Sequence, residues 1–376
     1  MAAETPSLSK IKELAGIQYL RGLAAMLVVA EHANLVIGLP KYFDRQPVPF
    51  EFYGGPAGVD LFFVVSGFII AYITLEPSSL RPRVGIVDFL WRRFARIVPF
   101  LWLCVAGYAA LRFLGRDGSF EFEPYLRALT LFPIGPVNPS QAWTLRHEFL
   151  FYLVFTTVFW HSGLRLVWVG IWMLSPILFF PIFGSAPITY EYELLGFAFN
   201  RLNLLFGFGF LVSLAYLQWP QWFAGTMSNG MPVLTVLCGL YMVLFILTPY
   251  THLNTADVLL AGFGASLILL AALRVRTELE PGLIDRAGLA LGDASYAIYL
   301  THGGIISALL GVWSRLAPNT SVFLVLFVCM AGSLGIGILI HRYIERPLVR
   351  RLKDSKFGRQ IRPIPTLVRN TAGKQS

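Results

Sequence analysis

Long apolar runs separated by short polar stretches set the pattern of this chain. Since a membrane-spanning helix needs about 20 apolar residues, the runs predict about ten spans, at roughly 17–37, 58–75, 98–114, 143–160, 164–183, 199–217, 231–248, 256–273, 293–313 and 320–341. The fold class expected is all-α, a polytopic membrane helix bundle. The first run departs from the pattern, because it carries Arg21, Glu31 and His32. His32 follows Arg21 by eleven positions. At about 100° and 1.5 Å per residue that spacing returns to nearly the same helical face and climbs about 16 Å. One face of one helix thus presents a guanidinium at one level and an imidazole at another. Ionisable side chains at membrane depth are costly and usually face a bundle interior or a water-filled path, so a functional site is expected there. The alternative, as well supported for Arg21 and weaker for His32, is that Arg21 reaches to the interface and His32 bonds a neighbouring helix.

The other polar residues acquire approximate depths from helix rise. With the first helix running outward, His32 falls in the outer third of the membrane. The fourth runs inward from Trp143, putting Glu148 about 7–8 Å below the outer boundary, with Tyr152 one turn further on the same face. Asp60 begins the second span and Ser66 lies deeper. The ninth brings Ser295, Tyr296, Tyr299 and His302 toward the midplane. A polar column through the bilayer is the expectation. For Asp60 a helix-terminal role is as well supported as a catalytic one, and Ser66 fits a packing residue. A carboxylate as deep as Glu148 needs a partner or a proton.

Composition agrees with the pattern. Hydrophobic residues make up 56% of the 376 and charged residues 14%, which excludes an ordinary soluble domain. Mean hydropathy is +0.64. Arg81, Arg83, Arg92, Arg93 and Arg96 lie between the second and third apolar runs, and the stretch from Arg342 onward is strongly basic. By the positive-inside rule these segments and both termini are expected on the cytoplasmic side. The net charge of +9 is then a topology signal and implies no nucleic-acid partner. The first apolar run continues to spanning length with no small-residue cleavage site, so no cleavable leader is expected. The domain expectation is a cytoplasmic segment 1–16, an integral domain 17–347 and a basic, disordered tail 348–376. Loops 38–57, 115–142 and 184–198 are expected outside. Tyr42, Phe43, Phe50, Phe52 and Tyr53 there suit sugar stacking or interface anchoring equally, and Glu191 and Glu193 mark the third loop.

Arg92, Arg93 and Arg96 share one helical side just before Pro99, an arrangement suited to gripping phosphates by bidentate, charge-assisted contacts. No glycine-rich nucleotide fingerprint is present. The V-V-S-G-F around Ser66 lacks the first glycine of a nucleophile elbow, which argues against a serine hydrolase. His147-Glu148 is not completed to a zinc motif, because residue 151 is Phe; no metal is expected. Cys104, Cys238 and Cys329 lie singly in apolar runs and imply no disulfide framework.

Taken in order, these stretches resemble the acyltransferase-3 family of integral membrane O-acyltransferases, over most of 17–347. The likeness rests on Tyr19-Leu20-Arg21-Gly22 with His32, on Gly58-Val59-Asp60-Leu61-Phe62-Phe63-Val64-Val65-Ser66-Gly67-Phe68, and on Arg93-x-x-Arg96-Ile97-x-Pro99. It continues through Trp143-Thr144-Leu145-x-x-Glu148-x-x-Phe151-Tyr152, Gly292-Asp293-Ala294-Ser295-Tyr296-x-Ile298-Tyr299-Leu300-x-His302 and Glu345-Arg346-Pro347. The resemblance implies transfer of an acyl group, usually acetyl, from cytoplasmic acyl-CoA to a hydroxyl of an extracytoplasmic or lipid-linked glycan. It implies a bacterial inner membrane and an essential Arg21–His32 pair. The short tail resembles the form without a fused hydrolase-like domain.

The expected division of labour places Arg92, Arg93 and Arg96, with Arg21, on the CoA phosphates, and Tyr299 and His302 along the donor path. Neutral His32 is the expected general base, its ordinary pKa of about 6.5 suiting proton removal near neutrality. Glu148, or Asp60, would orient the imidazole; Tyr152, Tyr299 or Ser66 would donate to the thioester oxyanion. Direct transfer and a covalent acyl-His32 or acyl-Ser66 relay both stay open. The competing class is a transporter or flippase for a lipid-linked glycan that makes no bond. An assembly scaffold ranks third, since it leaves the buried charges without purpose.

Overall fold

A computed structural model describes residues 14–49, 53–114, 121–160, 163–183, 194–223, 230–247, 254–275 and 282–355. Phe50, Phe52, Glu191, Glu193 and the tail beyond Ser355 lie outside the described residues. The chain is an all-α bundle of α1 (Ala15–Ile37), α2 (Gly54–Thr74), α3 (Ile86–Leu114), α4 (Phe122–Thr130), α5 (Ala142–Phe155), α6 (Arg165–Phe183) and α7 (Leu194–Ala198), followed by α8 (Asn203–Gln218), α9 (Gly230–Leu247), α10 (Thr255–Ala272), α11 (Leu283–Leu316), α12 (Val322–Ile340) and α13 (Arg346–Lys353). A π-helical turn, His341–Glu345, joins α12 to α13. Among the described residues, pairing outside helices amounts to one isolated bridge between Leu75 and Pro82.

Seven helical stretches among the described residues are long and apolar enough to cross a membrane: α1, α2, α3, the α7–α8 stretch Leu194–Gln218, α10, α11, and α12 with its continuation to Lys353. The expected count of about ten is not confirmed. The clearest departure is α5, whose 14 residues cover about 21 Å. Large apolar side chains stand exposed along α6, α9 and α12, among them Leu178, Leu240 and Phe327. On helices this apolar, such faces meet lipid tails rather than water. The molecule is a polytopic integral membrane protein.

The centre of the bundle is α1, which packs against α2, α10, α11 and α12. Its pairing with α11 is parallel: Tyr19 Oη donates to Asp285 (2.9 Å), Gln18 Nε2 donates to Asp293 (2.9 Å), and further along His32 meets His302. Small residues permit the close approach. A Cβ on Gly292 would run into the backbone of Gln18, and one on Gly22 would press Leu291 and the Gly292 nitrogen. The antiparallel α2/α8 pair meets the same way, with Gly67 against the Phe206 backbone and Gly209 against that of Val64. Such contacts suit helices in lipid, where association relies on packing rather than on escape from water.

At the other end of α1, the Glu31 carboxylate accepts from the Gly55 N–H (2.6 Å) in the first turn of α2. That carboxylate takes one of the donors a helix start leaves unpaired. Asn34 clamps the following loop through both its side-chain atoms, to the Val48 N–H (2.8 Å) and carbonyl (3.3 Å).

The glycine contacts generate a prediction. Gly209→Ala forces a Cβ into a backbone carbonyl that no rotamer change can relieve, and should cost at least the about 1–3 kcal/mol typical of overpacking. Gly311→Ala, on the same chemistry but in open space, should be neutral or stabilising by up to about 1 kcal/mol. Thermal unfolding in detergent should rank Gly209→Ala lowest; equal melting temperatures for both variants would refute the steric argument.

Candidate active site

Between α1, α2, α3, α5 and α11 lies a cavity of about 470 Å³, lined at one end by His341 and Lys353 from the α12–α13 stretch. Four arginines line it: Arg21, Arg92, Arg93 and Arg96. The last three come from α3, where spacings of three and four residues put Arg93 and Arg92 beside Arg96. Pro99 sits one turn on, inside the same helix.

Arg92, Arg96 and Arg21 are each held along one edge, and Arg93 lies against aromatic faces. Arg92 pairs with Asp88 one turn back (2.7 Å). Arg96 Nη1 meets Glu345 Oε1 at 2.7 Å and stacks over the Tyr296 ring at 5.5 Å. Glu345 is wholly buried, and His341 Nδ1 approaches its second oxygen at 2.7 Å. The π turn brings these two residues, four apart, over α3. Arg93 lies over the rings of Phe89 and Tyr152, both at 5.9 Å, and among the described residues its buried Nε has no hydrogen-bond partner. Arg21 donates to Gln18 Oε1 (3.2 Å), and Gln18 in turn donates to Asp293. Since a guanidinium carries five N–H donors, an edge held by the wall leaves donors for an anion in the cavity.

Deeper in the same cavity, Glu148 Oε1 accepts from Ser66 Oγ (3.3 Å) and from the Tyr152 hydroxyl. Phe62, Phe63 and Leu145 supply apolar wall. The far end is the buried contact of Thr144 Oγ1 with Tyr299 Oη (2.9 Å), against which Phe62 packs edge-on. Beyond Tyr299, 6.1 Å between ring centroids, is His302, and beyond it His32. His302 Nε2 and His32 Nδ1 are 3.2 Å apart; His302 is wholly buried and His32 partly so. Neither histidine lines the cavity.

The cavity therefore brings together Arg21, Arg92, Arg93, Arg96, Ser66, Glu148, Tyr152 and Tyr299 from the expected set. His32 and His302 form a separate pair at its closed end. The geometry differs from the expectation in three places. His32 bonds His302, and Glu148 faces Ser66, Tyr152 and the arginines instead. His302, expected on the donor path, stands behind Tyr299. Asp60 is wholly buried outside the cavity lining, near enough to Tyr241 of α9 to interact with it electrostatically.

The reason for the first difference is where α5 starts. The chain folds back into the bundle before it, with Arg146 Nη1 donating to the Gly135 carbonyl (2.8 Å) and Gln141 buried beside Gly303. Thr144 thus begins level with the middle of α11, and Glu148 lies correspondingly further toward the arginines. Residues that sequence reasoning did not assign to a site are Gln18, Thr144, Asp293, His341, Glu345 and Lys353. The four-residue spacing of His341 and Glu345 was a readable signal, but their neighbour on α3 was not. Among the described residues no group of three or more His, Cys, Asp or Glu is placed to hold a metal ion.

The Glu345 arrangement can be tested directly. Glu345→Gln leaves shape but removes the charge that compensates Arg96. With the Arg96 side chain 29% exposed, solvent screening reduces the usual buried-pair loss to about 1–3 kcal/mol. The same change in an Arg96→Met background should cost markedly less, because no cation is left unpaired. Equal falls in melting temperature in the two backgrounds would mean the pair is not coupled.

The sequence profile of the acyltransferase-3 family, an acyltransferase domain, matches residues 14–342. The chain is 29% identical to the exopolysaccharide production protein ExoZ of Rhizobium meliloti (strain 1021), over 79% of this chain and 90% of that one. It is 24% identical to the acyltransferase MdmB of Streptomyces mycarofaciens, over 95% of each. Identity is also 24% with the peptidoglycan O-acetyltransferase OatA of Listeria monocytogenes, covering 90% of this chain but 56% of that protein. No solved structure matches the chain.

Proposed function

The chain belongs to the acyltransferase-3 family, and we propose that it transfers an acyl group, acetyl first among candidates, from acyl-CoA at the cytoplasmic face of a bacterial inner membrane to a hydroxyl of an extracytoplasmic or lipid-linked glycan. The observation that carries this reading is the cavity itself: cationic along one wall, and ending one aromatic ring short of the His32–His302 pair. Its volume of about 470 Å³ falls in the range of small-molecule sites. The arginine-bearing end is cytoplasmic on the positive-inside rule. Arg92, Arg93, Arg96 and Arg21 hold the CoA phosphates, and the pantetheine arm runs past Ser66, Glu148 and Tyr152 toward Tyr299. A glycan acceptor is supported by the printed names of two relatives, one tied to exopolysaccharide production and one to peptidoglycan O-acetylation.

In the transfer step the acceptor oxygen attacks the thioester carbonyl carbon. The ester C–O bond forms and the C–S bond breaks. His32 takes the hydroxyl proton and returns it to the departing CoA sulfur, so the products are the O-acyl glycan and the free thiol. The hydroxyls of Thr144 and Tyr299 are the donors nearest the closed end and serve the carbonyl oxygen as it gains charge. Meeting of thioester and His32 requires the Thr144–Tyr299 contact to part.

Membranes carrying the wild-type chain or His32→Ala at matched expression should be given radiolabelled acetyl-CoA and an extracted surface-glycan fraction. Label should enter glycan with the wild type and fall by about 100-fold or more with His32→Ala. Arg93→Ala and Arg96→Ala should each raise KM for the donor about 10–100-fold, the worth of a charge-assisted contact. Absence of labelling by the wild type, with other acyl-CoAs and acceptor pools tried, would overturn the reading and favour a glycan transporter. Equal labelling with and without His32 would remove it from the chemistry.

A further inference from the structure

We infer that His302 is a positioning residue for the transfer: it locks His32 in the tautomer whose Nε2 is the free base, and a neutral ring does for His32 what a carboxylate does in other base–orienter pairs. The inference rests on the transferase reading above and adds to it the atom that takes the proton.

Hydrogen-bond polarity carries the argument. His302 Nδ1 lies 3.2 Å from the Ile298 carbonyl, one turn back on α11. A carbonyl only accepts, so this nitrogen carries the proton, and in the neutral ring Nε2 is then a lone pair. That lone pair points at His32 Nδ1, 3.2 Å away, which must therefore donate. The same nitrogen lies 3.0 Å from the Val28 carbonyl, which also requires the proton there, so the one N–H is shared between that oxygen and the His302 lone pair. Three contacts on two helices agree on one proton arrangement: Nδ1–H on both rings, with His32 Nε2 left unprotonated.

The consequence is directional. When His32 Nε2 takes the acceptor proton, its Nδ1–H stays shared between the His302 lone pair and the Val28 carbonyl, and both contacts strengthen because the donor is now charged. His302 cannot swing away, being wholly buried and backed by its own helix carbonyl. Glu148 and Asp60, the carboxylates expected in this role, lie elsewhere: Glu148 on Ser66 and Tyr152, Asp60 beside Tyr241.

Substitution by the two carboxamides separates positioning from packing. Glutamine sets its amide end near the place of Nε2 and can accept from His32; asparagine reaches only the place of Nδ1. Full-length chain in detergent should be assayed for acetyl transfer from acetyl-CoA and for binding of CoA itself. His302→Asn and His302→Leu should lower kcat about 100-fold, the cost of a misplaced catalytic group, while KM for the donor and the Kd for CoA stay within about threefold because His302 does not line the cavity. His302→Gln should keep kcat within about tenfold of wild type. Equal activity of the Gln and Asn variants, or loss of CoA binding together with kcat in all three, would overturn the assignment. A readout independent of turnover is 15N NMR of histidine-labelled chain, with His32 and His302 assigned by single variants. A lone pair on His32 Nδ1 would sink the inference even if transfer occurs, and Nδ1–H with free Nε2 on both rings would support it even if the donor proves not to be acyl-CoA.

Discussion

Everything in the site depends on how closely α1 and α11 lie side by side. Because Gly22, Gly288 and Gly292 present no Cβ, the two backbones approach until side chains at matching levels can touch. Being parallel, the helices keep their register along the whole contact. The same pairing that sets Gln18 on Asp293 near one end sets His32 on His302 further along. In lipid such an interface has no hydrophobic driving force of its own, so polar contacts and steric fit must select it. Of the residues that fix the register, Gln18 and Asp293 also line the cavity.

Charge in an apolar bundle imposes the second constraint. Four arginines around one cavity would repel one another and suffer loss of hydration unless each met a compensating group. The structure meets this by tying each to the wall on one side: Asp88 for Arg92, Glu345 for Arg96, the Gln18–Asp293 chain for Arg21, and aromatic faces for Arg93. The π turn at His341–Glu345 has a clear purpose in this light. It interrupts the α12 helix where a buried carboxylate must turn onto Arg96 while His341 takes its other oxygen. What remains is a cationic wall with free donors, next to a layer of hydroxyls around Glu148, and then the Thr144–Tyr299 contact that keeps this polar space apart from the histidines.

Much of this was legible in the chain. Every predicted apolar run falls on a helix, the shared face of Arg21 and His32 follows from helical repeat, and the arginine trio before Pro99 announces a cationic wall. The ordered motifs from Tyr19 to Pro347 identified the family, which the profile match over 14–342 bears out. Periodicity is a local property, and these features need nothing beyond it. The contact of Tyr152 with Glu148, one helical turn apart, is local in the same sense, whereas Ser66 reaches Glu148 from another helix.

Partners across helices were decided only by tertiary structure. The sequence determined that a carboxylate at Glu148 and an imidazole at His32 each needed a neighbour, since neither is tolerable alone in lipid. It did not determine which, because helical spacing defines a face and not the helix opposite. The fold-back before Ala142 moved Glu148 toward the arginines, the glycine-mediated approach of α11 put His302 on His32, and the turn at Glu345 delivered a carboxylate to Arg96 from 249 residues away. Each of these depends on helix starts and on backbone contact distances, which are set jointly by many residues and are not written at any one position.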